Sequence, residues 1–321
     1  MDEQGKKKSE EDNKDKALES TPPTKEEAQH QSSIFNHSVD HRGTHIYVRG
    51  QIPTQSPHAP IVIIHNIGSS STPYRDAAKE FADLGHPTFV FDQRGHGRSG
   101  RLLGDLENYH HLTNDLLQIS AWVRYRCGRK APYILAHGLG ALGAVHFAAK
   151  HPDLCKGLAL VWPQLTAPPS LGRRFIIRGL CETFPKLRLP HKLTPVWMQL
   201  HKQNFTYATN RFVKEIIESL EAIPGSFSKI QSPTLLVNPP EGNRSALKKV
   251  FEMIGRHDDK NLFETKALDI APDKVLQDKT ASSELFEVLS TWFDQHKDHT
   301  PIAIANDVYI DPPTEEPPQN A

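Results

Sequence analysis

The chain has 321 residues, with 38 Lys and Arg balanced by 38 Asp and Glu, and a formal net charge of zero. Without a basic excess there is no electrostatic footprint for nucleic acid. No window approaches the roughly 18 uninterrupted apolar residues of a membrane span.

Residues 1–33 hold six Lys and nine Asp or Glu, and little that is apolar beyond Met1, Ala17, Leu18 and Ala28. Such a stretch buries too little surface to offset its chain entropy, so it is expected to be a disordered charged tail. It opens on charges and lacks the apolar run of a secretory signal. The three cysteines, Cys127, Cys155 and Cys181, form no CxxC pair. A reduced cytoplasmic setting is the expectation.

A short strand is predicted from His45 to Arg49, and Pro60 to Ile64 reads as a strand buried on both faces. A helix from Pro73 to Leu84 is stopped by Gly85. Thr88 to Phe91 is a second buried strand. Leu112 to Arg126 has Leu116, Ile119, Trp122 and Val123 at helical spacing. A strand from Tyr133 to Ala136, an Ala-rich helix from Leu139 to Lys150 and a strand from Leu158 to Val161 follow. This alternation predicts a mostly parallel, doubly wound α/β sheet.

The alternation breaks after Trp162. Residues 164–225 read as a helical insertion with no clear strand. A strand from Thr234 to Val237, a helix over 244–255, a strand over 262–266 and a helix from Ser282 to Gln295 close the domain, which spans 34–298. Residues 299–321, rich in Pro and acid, form a second predicted tail. In a doubly wound sheet the loops beyond the carboxyl ends of the strands bind ligands. Those after His65, Asp92, His137, Pro163 and Asn238 should therefore converge.

Gly138-Leu139-Gly140-Ala141-Leu142-Gly143 is a literal GxGxxG between a strand and a helix, the dinucleotide pattern. Its mid-chain position, the Trp162-Pro163 that ends the next strand without an acid, and His137 before the first glycine all argue against a nucleotide. The same residues fit a strained strand–turn–helix elbow, G-x-S-x-G in hydrolases. Here it stands as Ala136-His137-Gly138-Leu139-Gly140, with glycine at the centre.

Further blocks carry a family resemblance. His65-Asn66-Ile67-Gly68 looks like an HGxG oxyanion loop. Asp92-Gln93-Arg94-Gly95-His96-Gly97-Arg98-Ser99-Gly100 matches a D-x-R-G-H-G-x-S-x signature. The Tyr133 to Pro152 region and Pro233 to Val237 match as well. Over roughly 40–296 the chain resembles the monoacylglycerol lipase and lysophospholipase branch of the α/β-hydrolases, the serine aminopeptidase S33 group.

That resemblance implies an α/β-hydrolase fold with a helical cap at about 164–225, and a serine, a histidine and an acid acting on an ester. Gly138 occupies the serine position. Asn238-Pro239-Pro240-Glu241-Gly242 retains the segment after the acid turn but lacks the turn, leaving Glu241 as the nearest carboxylate. In the stretch from Ala271 to Asp278 that should hold the histidine, Asp273 takes its register. No catalytic residue is intact.

An oxyanion-like pocket remains, with backbone donors expected from Ile67 and Leu139 and with His65, Asn66 and His137 beside it. Each histidine, His96 included, reads equally as a bonded structural residue. The cap carries Arg173, Arg174, Arg178, Lys186, Arg188, Lys192 and Lys202 against Glu182, interleaved with Phe175, Ile176, Ile177, Leu180 and Phe184. It reads either as a surface for an anionic membrane or as a helix packed on the core with solvated charges. No cofactor or metal is implied.

Three functions stay open: a non-catalytic module binding a protein or a lipid-like or acyl ligand in the old cleft, a lipid-ester hydrolase with relocated residues such as Ser69, Ser70, Ser71 or Thr72, and an adaptor working through its tails.

Overall fold

The computed structural model describes residues 32–41, 43–100, 102–165, 171–190, 207–240, 244–271 and 274–301. Most of both predicted tails lies outside them. Strands β1 (Ser32–His41), β2 (Thr44–Pro53), β3 (Ile61–Ile64), β4 (Thr88–Phe91), β5 (Tyr133–His137) and β6 (Gly157–Val161) come first. A small pair, β7 (Arg188–Pro190) and β8 (Tyr207–Thr209), precedes β9 (Thr234–Asn238) and β10 (Phe263–Ala267).

Eight strands form one sheet in the order β1-β2-β4-β3-β5-β6-β9-β10. β1 and β2 pair antiparallel, as do β2 and β4, and every other pairing is parallel. From β3 the chain moves to β4 on one side and then to β5 on the other. The loops after β3 and β5 thus leave in opposite directions and open the crevice where such folds place ligands.

Successive strand residues feed two cores. Val62, Ile64, Ile134 and Ala136 pack under helices α2 (His110–Arg126), α3 (Ala141–Lys150) and α5 (Asn210–Phe227), while Ile61, Ile63, Tyr133 and Leu135 face α1 (Arg75–Asp83) and α7 (Ser283–Gln295). Both faces are covered, which is why these strands read as continuous apolar runs. Burying each large aliphatic side chain stabilises the fold by about 1.5–3 kcal/mol. Helices α4 (Leu171–Thr183) and α6 (Arg244–Gly255) complete the set.

Three expectations change. β1 was not foreseen and starts inside the stretch read as tail. Its sequence SSIFNHSVDH is polar because one face is wet, and it is fixed by Phe35, whose ring covers Gly50 and packs on Phe89 and Trp122. β2 runs on to Pro53, well past Arg49. The insertion, read as strandless, contains β7 and β8, three residues each and too short to leave a periodic signature.

Candidate functional site

The loops at the carboxyl edge of the sheet do converge. After β4, Asp92 accepts the backbone N–H of Ser71 at 2.5 Å and that of Arg98 at 2.8 Å. Gly97 has φ +49, and a Cβ there would run into the Asp92 carboxylate. Arg94 forms a two-pronged pair with buried Asp115, at 3.0 and 2.6 Å. Ser99 Oγ accepts Tyr47 N–H at 2.8 Å. His96 Nδ1 meets the Arg94 carbonyl at 3.0 Å and Arg98 lies over the Tyr47 ring, so the side chains of the DQRGHGRSG block are tied to neighbouring groups. The block builds the loop.

At the elbow β5 ends at His137, Gly138 adopts φ +58, and a short turn (Gly138–Gly140) leads into α3. The left-handed φ suits glycine and strains any other residue. Tight packing adds to this. A Cβ at Gly140 would strike the carbonyl oxygen of His65. A Cβ at Gly138 would lie 2.5 Å from Asn66 Cγ and 2.9 Å from its Nδ2, and nearer still to Oδ1. The Asn66 amide therefore occupies the space directly above the centre of the elbow. Its Oδ1 also accepts the backbone N–H of Leu139 at 3.0 Å, the donor expected to serve an oxyanion.

Asn66 is held from three sides. Its N–H donates to Tyr74 Oη at 3.0 Å, and its carbonyl accepts both Ser69 N–H at 3.0 Å and His65 Nδ1 at 2.8 Å. His65 Nε2 accepts Gln93 N–H at 3.0 Å, which puts the imidazole proton on Nδ1. Gln93 Nε2 donates to His65 O at 2.6 Å. Burial lowers the His65 pKa, against the opposing pull of Asp92, so the ring stays neutral. Tyr74 Oη, accepting from Asn66, also shares a hydrogen bond with His137 Nδ1 at 2.8 Å. Burial pushes the tyrosine pKa far up and keeps it protonated, with Ser69 and Gln277 against the same hydroxyl. His65, Asn66, Ile67, His137 and Leu139 are all buried. The expected pocket is brought together, and it is occupied by its own side chains.

Sequence reasoning missed Tyr74 and Gln93, and it missed the role of the Asn66 side chain. The motif anomaly at the second position of the oxyanion loop was the available signal for Asn66. Nothing marked Tyr74, an aromatic residue at a predicted helix start.

Of the other two predicted positions, Glu241 and Asp273 lie outside the described residues. Their surroundings are partly visible. Asn238 ends β9 buried, its carbonyl accepting Leu268 N–H at 2.9 Å. Its Oδ1 has no partner among the described residues, and the same holds for Trp162 Nε1 and Gln164 Oε1. Gln164 N–H donates to Gly138 O at 3.1 Å, closing the crevice from the β6 side. Val275 and Leu276 are buried just after position 273, with Leu276 at φ +59. His296 and His299, at the end of the closing helix, are half-buried. The serines after the oxyanion loop, Ser69, Ser70 and Ser71, are buried as well.

A serine–histidine contact does occur elsewhere. His146 on α3 lies 3.0 Å from Ser219 Oγ and 2.7 Å from Ser226 Oγ, both on α5. Burial lowers its pKa to about 4, which makes it a weak base at neutral pH. Ser219 is completely buried. This is a polar tie between two packed helices. No group of three or more His, Cys, Asp or Glu side chains suited to a metal occurs among the described residues.

Within the insertion, helix α4 turns its charged side toward α5. Arg174 and Arg178 pair with Glu221 and Glu218 of α5. Its outer side carries Phe175, Ile176 and Leu180, the first two 71% and 64% exposed, and beyond its end Phe184 and Leu187 are exposed too. Two of the expected surface cations are thus spent on intramolecular pairs. Lys186 and Arg188 stay at the surface, Arg188 over the Tyr207 ring. The side chain of Arg173, and Lys192 and Lys202, lie outside the described residues. No described helix is long and apolar enough to cross a membrane.

The pattern of a family described as serine aminopeptidase, S33 matches residues 55–241. Human monoglyceride lipase is 27% identical over 171 residues, 53% of this chain and 56% of that protein. Lysophospholipase L2 of Escherichia coli is 29% identical over 143 residues, 40% of each chain. The chain thus spans about half the length of these curated relatives. A crystal structure of a soluble variant of monoglyceride lipase from Saccharomyces cerevisiae superposes with a TM-score of 0.65 at 16% identity, covering 83% of this chain and 96% of that one.

Proposed function

The chain belongs to the serine aminopeptidase S33 family and has the α/β-hydrolase fold, and from that premise we propose that it is a non-catalytic member acting as a binding module. One observation carries the reading. The nucleophile position is Gly138, and the Asn66 amide fills the space a nucleophile's side chain would need while capping the Leu139 N–H. Loss of a nucleophile costs about a millionfold in turnover in a serine hydrolase. Here the oxyanion donor is also engaged internally, so the residual catalysis of an empty pocket is weakened too.

The filled pocket argues against an acyl ligand held at the oxyanion loop. It favours the cap as the binding surface. The outward apolar side of α4, beside Lys186 and Arg188, suits the interface of an anionic membrane. If the chain is nevertheless active, its relatives make it a carboxylic ester hydrolase of the monoglyceride lipase or lysophospholipase kind.

Two experiments test this. Hydrolysis of monoacylglycerols and short-chain esters at high protein concentration should not exceed the buffer rate; turnover that disappears on heat denaturation sinks the non-catalytic reading. Flotation with anionic liposomes should carry the protein upward at low salt, and protein that stays at the bottom removes the membrane role.

A further inference from the structure

A groove of about 680 Å³ opens at the opposite edge of the sheet, beyond the amino ends of β3 and β5. That size lies within the usual range of small-molecule sites, roughly 300–1,000 Å³. Arg124, Arg129, Lys130, Lys156 and Lys297 line it, against the carboxylates of Asp153 and Asp298. The excess is three positive charges.

Backbone carbonyls fix two of these cations in place. Lys130 Nζ donates to the carbonyls of Ser56 and Pro57 at 3.1 and 3.0 Å, and Lys156 Nζ to that of His299 at 2.6 Å. Carbonyls hold the ammonium groups in place, and Asp298 offsets part of the Lys156 charge. Arg129 holds φ +63 directly after Gly128 at φ +64. A left-handed position normally goes to glycine or asparagine, yet here it carries an arginine that projects its charge into the groove wall.

One wall is aromatic. The rings of His58 and His86 stack at 4.7 Å, and Tyr133 and Phe293 lie beside them. Burial lowers the His86 pKa to about 4, so its ring adds no charge to the groove wall at neutral pH.

We propose that this groove binds a small phosphorylated molecule. A phosphate brings about −1.5 to −2 charges and three strong acceptor oxygens, which answers the excess charge of the lining. The site is separate from the Gly138 crevice, so it stands whether or not the chain is catalytic.

Calorimetric titration of the full chain with sodium pyrophosphate and with adenosine 5′-monophosphate, at low ionic strength, tests it. One-site binding of at least one probe is expected. Combining Arg129→Gly with Lys297→Gln should weaken it by about tenfold or more. Arg129→Gly relieves a left-handed backbone, so this variant keeps its fold. Lys266→Gln, on the far β10 edge, should change nothing. Absence of heat with both probes, or equal weakening by the Lys266→Gln control, overturns the proposal.

Discussion

Gly138→Ser should destabilise the protein without creating an esterase. The backbone at this position has φ +58, a left-handed conformation that costs a non-glycine residue about 1–2 kcal/mol. The new Cβ also displaces the Asn66 amide, which sits 2.5–2.9 Å from the ideal Cβ at its Cγ and Nδ2. That breaks the Asn66 Oδ1 bond to Leu139 N–H, 3.0 Å long and buried. A buried N–H left without a partner costs about 1–3 kcal/mol. The sum is about 2–5 kcal/mol, and for a domain of this size each kcal/mol lowers Tm by roughly 2–4 °C. The assay is thermal unfolding of four proteins: the parent, Gly138→Ser, Asn66→Ala and the double variant. Because both single changes remove the same hydrogen bond, their costs should overlap by about 1–3 kcal/mol. Costs that add to within about 0.5 kcal/mol would refute the idea that Asn66 occupies the nucleophile space.

Tyr74→Phe removes the acceptor of Asn66 N–H and the hydrogen bond with His137; it should cost about 1–3 kcal/mol in urea unfolding, and a neutral result contradicts the network. Acidification should destabilise the fold. Burial lowers the pKa of His86 and His146 to about 4 and that of His96 to about 3, from 6.5. Between these values the unfolded chain takes up protons that the folded chain refuses, so stability is full above pH 6.5 and falls as pH drops towards 4. Each histidine contributes up to about 1.4 kcal/mol per pH unit in that window; a Tm that is flat across it refutes the burial argument. Phe175→Ser with Ile176→Ser on the cap should abolish liposome flotation while changing stability by no more than about 0.5 kcal/mol, since both side chains are exposed. Flotation unchanged by the pair refutes the cap surface.

Much of this architecture was legible because two-sided burial writes itself into sequence. Ile61 to Ile64, Tyr133 to Ala136 and Leu235 to Val237 are apolar throughout, and each lies in a buried strand. β1 was not legible: its polar residues face solvent, and its anchor, Phe35, finds a place only through Gly50 on the neighbouring strand. β7 and β8 are too short to show a period. At the site, the anomaly at Gly138 could be read directly, but its consequence could not. That a side chain 72 residues earlier reaches over it is a property of the β3–β5 adjacency, which the fold creates. The basic insertion was open to two readings from sequence because which side of a helix faces out is set by its neighbour: Arg174 and Arg178 pair with Glu221 and Glu218 of α5, and Phe175 and Ile176 face out.

Gly138 and the Asn66 amide above it are together the centre of this account. Intact-mass spectrometry of the full chain after exposure to a fluorophosphonate measures directly whether any serine in it is an activated nucleophile. The account predicts an unchanged mass for the native protein, equal to that of a heat-denatured control. A single phosphonyl adduct, formed by the folded protein and absent from the denatured one, would contradict it.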